Sequence, residues 1–88
     1  MKTSTLKASK QSAETLWSDL ELINNKIGKE LYKRKNTDFG FTISGPKIDE
    51  DKKYVRNADG KIKRTTVFFY EKTEIGERIT WDENTITI

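Results

Sequence analysis

The chain has 88 residues, with 17 basic and 14 acidic side chains, a net charge of +3, and neither histidine nor cysteine. This length predicts one small domain, and the missing residue types exclude a disulfide framework, thiolate or imidazole metal sites and histidine acid–base catalysis. No apolar run approaches the roughly 20 residues that span a bilayer, so we expect a soluble, cytoplasmic protein.

The first half of the chain is predicted to form one long helix. Residues 1–8 are polar and small, and we expect them to be frayed within a single domain of residues 1–88. From about Ser9 or Ser12 the apolar residues recur every three or four positions for about 22 residues, which is typical of a helix packed on a sheet. These residues are Ala13, Leu16, Trp17, Leu20, Ile23, Ile27 and Leu31. A coiled coil fits the same spacing and is the less favoured alternative, and the basic residues 33–35 suit the helix C-terminus.

Strands are predicted for the second half. Alternating or β-branched and aromatic residues indicate strands at 39–44, 53–56, 61–73 and 77–81, with a short fifth at 85–88. Glycine-containing turns separate them, and short connections favour antiparallel pairing of sequential neighbours. The predicted fold is therefore α+β, with one long N-terminal helix packed on a four- to five-stranded antiparallel meander sheet.

The strand at 61–73 is predicted to be central, because four large residues run together from Val67 to Tyr70. Side chains alternate across a strand, so Val67 and Phe69 face one way, and Phe68 and Tyr70 the other. We prefer the facing in which the helix covers Val67 and Phe69. Phe68 and Tyr70 are then a candidate partner face for bases, for a protein or for a second copy. The alternative facing has the helix over Phe68 and Tyr70, with Phe69 outside beside Glu71.

The segment 52–64 carries six basic residues and one acidic residue around an Asp59-Gly60 turn. A two-stranded ribbon fits the major groove of DNA, where its cations would meet phosphates. The candidate contacts to nucleic acid or to an acidic partner are Lys52, Lys53, Tyr54, Arg56, Lys61, Lys63 and Arg64. The alternative is a solvated hairpin whose lysines prevent unwanted strand pairing.

Sequence signals for catalysis are weak. Glu50 and Lys52 match the Glu-x-Lys fragment of metal-dependent nucleases, but this fragment is common and lies here in a predicted loop. No glycine-rich phosphate loop is present, so we expect no catalytic residues, no metal site and no cofactor. One helix before antiparallel strands, with Ser44-Gly45-Pro46 between strands, resembles the first half of double-stranded-RNA-binding domains. The second, basic helix of that family is missing here, and no residue role follows from the resemblance.

These patterns favour non-catalytic binding. We expect a small basic module that contacts nucleic acid, or a nucleic-acid-handling protein, through the basic hairpin. The alternative is a protein-binding inhibitor or adaptor of the phage or mobile-element type, acting through the aromatic sheet face or the helix. Lysine outnumbers arginine 13 to 4, a composition that suits such a source. A monomer is favoured, and a dimer stays open.

Overall fold

The computed structural model describes residues 3–6 and 10–86, the first of these ranges by its backbone alone. Within these ranges the chain forms one helix, α1 (Lys10–Ile27), and five strands. The strands are β1 (Thr3–Leu6), β2 (Lys33–Asn36), β3 (Gly40–Pro46), β4 (Arg64–Thr73) and β5 (Gly76–Asp82). They pair antiparallel in one sheet, in the order β1-β5-β4-β3-β2. Among the described residues, no helix is long and apolar enough to cross a membrane.

The helix and the four-stranded antiparallel meander that follows it, β2 to β5, confirm the predicted α+β architecture. The fifth strand comes from the other end of the chain: β1 lies beside β5, within the segment 1–8 that we expected to be frayed. The other residues of 1–8 lie outside the described part of the chain. Residues 83–85 form a turn where the start of a fifth strand was predicted, and 87–88 also lie outside the described residues.

Gly28 ends the helix earlier than predicted. It has a φ of 69°, a left-handed conformation that glycine adopts without a Cβ penalty. Its N–H donates to the Asn24 carbonyl at 3.0 Å. The Asn24 side chain then fixes the following loop, because its Oδ1 accepts hydrogen bonds from the N–H groups of Leu31 and Tyr32 at 3.0 and 3.1 Å. The basic residues expected in the last helical turn lie instead on the edge strand β2.

The sheet face that α1 covers holds three aromatic rings from two neighbouring strands. Phe41 on β3 stacks with Phe68 on β4 at 5.9 Å and lies 5.6 Å from Tyr70, measured between ring centroids. All three residues are at most 2% exposed. Ala13 and Leu20 of α1 are buried in the same cluster. The helix therefore packs on its own sheet, as favoured over a coiled coil.

A β-bulge interrupts the alternation of β4. The register pairs Phe68 with Ile43 but Thr66 with Ser44, so Val67 is an extra residue without a partner on β3. Val67 and Phe68 are consecutive, yet each is only 1% exposed. Both side chains therefore contribute to the core, which strict alternation would forbid.

The preferred facing of the central strand was wrong. Phe68 and Tyr70 are core residues, 1% and 2% exposed, so they do not form a partner face. Phe69 points to the opposite side and is half-buried. The alternative facing is correct for these three aromatic residues, and the bulge explains why Val67 departs from it.

Arg34 joins the edge strand β2 to α1. Its Nη1 and Nη2 donate to the two carboxylate oxygens of Glu14 at 2.7 and 3.0 Å. Its guanidinium carbon lies 4.0 Å from the centroid of the Phe41 ring, so one side chain combines a bidentate ion pair with a cation–π contact. The hydrogen bond from Arg34 holds the pKa of Glu14 below its ordinary value of 4.5.

Replacing Phe68 with alanine is expected to destabilise the protein by about 3–5 kcal/mol, because it opens a cavity under α1. Phe69→Ala should cost at least about 1.5 kcal/mol less, because its ring is only half-buried. Urea unfolding of the two variants measures this difference. Equal losses of stability would contradict the observed facing of β4.

Glu14→Gln should remove a pH-dependent part of the stability. A carboxyl with a lowered folded-state pKa contributes stability that is present above its ordinary pKa of 4.5 and is lost as the pH falls through the folded-state pKa. Between about pH 5 and pH 3, the urea midpoint of the wild type should therefore fall more steeply than that of the variant. Parallel pH profiles would mean that the Glu14–Arg34 pair contributes no stability.

Candidate functional site

The connection between β3 and β4, residues 47–63, begins at a closed ring of three backbone hydrogen bonds. Lys47 N–H donates to the Lys63 carbonyl at 2.8 Å, Lys63 N–H to the Val55 carbonyl at 2.8 Å, and Val55 N–H to the Lys47 carbonyl at 2.9 Å. Each of these three residues is both donor and acceptor, so no backbone group at this branch point is left unpaired. The ring fixes the base of two separate turns.

The first turn, residues 49–53, is organised by Asp49. Its Oδ1 accepts hydrogen bonds from the N–H groups of Asp51 and Lys53 at 2.9 and 3.0 Å. The turn carries three carboxylates together with Lys52 and Lys53. These two lysines therefore stand in a surrounding that is negative overall, which weakens their attraction for an anionic partner.

The second turn is strongly basic. Arg56 and Ile62 pair across it in an isolated bridge, and Gly60 closes it with a φ of 83°. Residues 55–64 carry four basic side chains and one acidic side chain. Ile62 is half-buried, and Lys61 and Lys63 alternate with it, so both lysines point to the side opposite Ile62.

The predicted hairpin at 52–64 is thus two turns, and the strand predicted at 53–56 makes only isolated bridges. Arg56, Lys61 and Lys63 lie on the second turn, beside Lys47 of the hydrogen-bonded ring, which the sequence pattern did not single out. Arg56 pairs with Ile62 and shares its side of the turn, whereas the two lysines point to the other side. The structure places Lys52 and Lys53 on the separate, acidic turn. None of these six cations has a carboxylate within 4.0 Å among the described residues.

Arg64 is exposed at the surface, but its guanidinium is bound to backbone groups of the protein. Its Nη2 donates to the carbonyl oxygens of Leu31 at 2.9 Å and Ser44 at 3.2 Å. The guanidinium therefore ties the start of β4 to the α1–β2 connection. Tyr54, the aromatic candidate of this region, is 44% exposed and pairs with Ile48 at the base of the first turn.

The second half of α1 exposes three large apolar side chains. Leu22, Ile23 and Ile27 are 66%, 43% and 47% exposed. The apolar stripe of the helix is therefore divided: its first half packs on the sheet, and its second half reaches solvent. Exposed apolar residues on adjacent turns are a feature of protein-contact surfaces.

An open cavity of about 440 Å³ lies at the opposite end of the sheet from the ring of backbone hydrogen bonds. Its charged lining residues are Lys10, Arg34, Asp38 and Lys72. Burial raises the pKa of the Tyr70 phenol in the cavity wall, and the nearby carboxylates of Glu77 and Glu14 raise it further. Glu14 and Glu77 together with Asp38 supply three carboxylates near the three cations of the lining. The charge of the cavity therefore does not favour an anion.

Glu50 and Lys52, which match a nuclease fragment, lie on the exposed first turn. In the described part of the chain, no group of three or more carboxylates is placed to hold a metal ion. No protein-family model, curated protein or solved structure matches this chain. The function is therefore inferred from the residues themselves.

Proposed function

We propose that the protein is a small, non-catalytic module that binds the phosphate backbone of nucleic acid through one basic end of its sheet. The basic end consists of Lys47, Arg56, Lys61 and Lys63. The supporting observation is that these four cations lie on one hydrogen-bonded ring and its second turn, without an ion-pair partner among the described residues. Lysine meets phosphate as a strongly hydrated point charge, and such contacts supply affinity without reading sequence.

The ring favours binding because it holds the cations in place before a partner arrives. Val55 is half-buried at its centre, and its backbone bonds connect Lys47 to Lys63. A preformed base reduces the conformational freedom that is lost on association. An acidic surface on a nucleic-acid-handling protein would offer carboxylates in place of phosphates, and direct titration with nucleic acid distinguishes the two partners.

The double variant Lys61→Ala, Lys63→Ala should bind nucleic acid more weakly and with a smaller dependence on salt. Each phosphate contact adds about 0.9 to the magnitude of the slope of log K against log salt for a duplex, so the slope should flatten by up to about 1.8. Fluorescence anisotropy with a mixed-sequence duplex, between about 50 and 200 mM salt, measures this change.

Lys52→Ala with Lys53→Ala is the matched control. It also removes two lysines, but from the acidic turn, so the slope should flatten by less than half as much as in the Lys61, Lys63 pair. Equal effects of the two pairs would show that only net charge matters. A wild-type protein without salt-dependent binding at about 50 mM salt would refute the proposal.

A second candidate function rests on the exposed residues Leu22, Ile23 and Ile27 of α1. These residues suit a protein-binding inhibitor or adaptor of the phage or mobile-element type, with the helix as the contact element. Ile23→Ser with Ile27→Ser alters this surface and leaves the basic end intact. The variant should keep the nucleic-acid affinity and salt slope of the wild type, and a loss of both would place α1 in the nucleic-acid interface.

A further inference from the structure

The sheet face that α1 does not cover, here called the outer face, carries one large aromatic ring. The register places Phe69 of β4 directly opposite Thr42 of β3 and Thr80 of β5. Lys35 of β2 lies opposite Thr42 and continues the same row. Because directly opposite residues share a face, a single row across the sheet contains these four side chains. Its centre is a phenyl ring flanked by shorter threonines.

The charges of the outer face favour an anionic partner. Lys33 and Lys35 lie on the edge strand β2, and Arg78 lies on β5 diagonal to the ring. Arg78 forms an ion pair with Glu71 at 2.7 Å. Lys33 meets Glu30 at 3.6 Å, but their side chains are 55% and 72% exposed, so water and salt screen this pair.

Alternation along β5 places one further carboxylate, that of Asp82, on the outer face, and it does not reach solvent. Asp82 is 3% exposed, and its Oδ1 accepts a hydrogen bond from the Asn84 N–H at 2.9 Å. Arg64 also belongs to this face, because it lies opposite Pro46. The surface around the ring therefore carries more positive than negative charge, and Lys35 has no ion-pair partner among the described residues.

We propose that the outer face binds single-stranded nucleic acid, with one base stacked on Phe69 and the adjoining phosphates near Lys35 and Arg78. This inference rests on the proposed function, because the basic end would hold the backbone of the same strand. Neighbouring strands lie about 4.8 Å apart, so Lys35 is roughly 10 Å from the ring, within reach of a long side chain. Lys63 alternates with Arg64 and so points away from the outer face. The distance along the chain from Phe69 to Lys63 is roughly 20 Å, and a short oligonucleotide that contacts both would pass around the end of the sheet.

The outer face, with one aromatic side chain and cations around it, suits a single-stranded nucleic acid better than it suits a protein or a duplex. A stable protein interface buries about 800 Å² on each side around an apolar centre, whereas Phe69 is the only large apolar side chain in its row. Within a duplex the flat faces of the bases are already stacked. An unpaired base offers a free π-face, and stacking on an aromatic side chain tolerates any base.

The test compares Phe69→Leu with Phe69→Tyr. Leucine keeps an apolar side chain but removes the π-face, whereas tyrosine keeps the ring. Anisotropy with labelled 12-nucleotide oligo-dT and oligo-U should show at least about a fivefold loss of affinity for Phe69→Leu and less than about a twofold change for Phe69→Tyr. Binding of a 12-base-pair duplex should stay the same in both variants. Neither changes a charge, so the salt slopes should match the wild type.

Phe39→Leu is the matched control. Phe39 is an aromatic residue that is more exposed than the half-buried Phe69, with 68% of its surface accessible, and it lies in the turn between β2 and β3. Its replacement should change single-strand affinity by less than about twofold. An equal loss in the Phe39 and Phe69 variants would overturn the assignment to the outer face.

Several results would overturn the inference. Phe69→Leu could bind oligo-dT as tightly as the wild type, could lose duplex binding to the same extent, or could match Phe69→Tyr. If only this inference fails, the effect of Lys61→Ala with Lys63→Ala remains. If only the basic end fails, single-strand binding stays sensitive to Phe69→Leu but not to the lysine pair. If the wild type binds no nucleic acid, both proposals fail and the outer face is left to a protein partner.

Discussion

The β-bulge at Val67 determines which side chains the single helix covers. In an uninterrupted strand, Val67 and Phe68 would point to opposite faces. The extra residue lets both enter the core, where Phe68 stacks with Phe41. From Phe68 onward the alternation resumes in the new phase, so Tyr70 is buried and Phe69 is left on the outer face. One inserted residue therefore separates a packed aromatic cluster from the half-buried ring of Phe69 on the outer face.

Local patterns predicted much of this fold. The three- and four-residue spacing of α1, the alternation around Phe41 and the Asp59-Gly60 turn all carry their signal within a few positions. Features set by distant pairing were not predictable. Strand β2 has no apolar alternation and exists because β3 supplies its hydrogen bonds. The bulge at Val67 depends on the register with β3. The division of the basic segment depends on a ring that joins residues 47, 55 and 63.

The two proposed contact surfaces follow from the same architecture. A single helix covers one face of a five-stranded sheet, so the other face has no partner layer among the described residues. The long β3–β4 connection leaves one end of that sheet, where the ring of backbone hydrogen bonds holds Lys47 and Lys63 together. Cations at the sheet end supply affinity that depends on salt, and the phenyl group of Phe69 on the sheet face supplies preference for unpaired bases. The two contributions are physically distinct and separable by mutation.

The most direct test of this account is a chemical-shift map of backbone amides, recorded while the protein is titrated with a 12-nucleotide single strand at about 50 mM salt. The account predicts that the largest shifts fall at Lys61 and Lys63 and in the strands around Phe69, at Thr42 and Thr80. It also predicts that α1 shifts little. Shifts concentrated on the exposed half of α1, or no shifts at all, would contradict it.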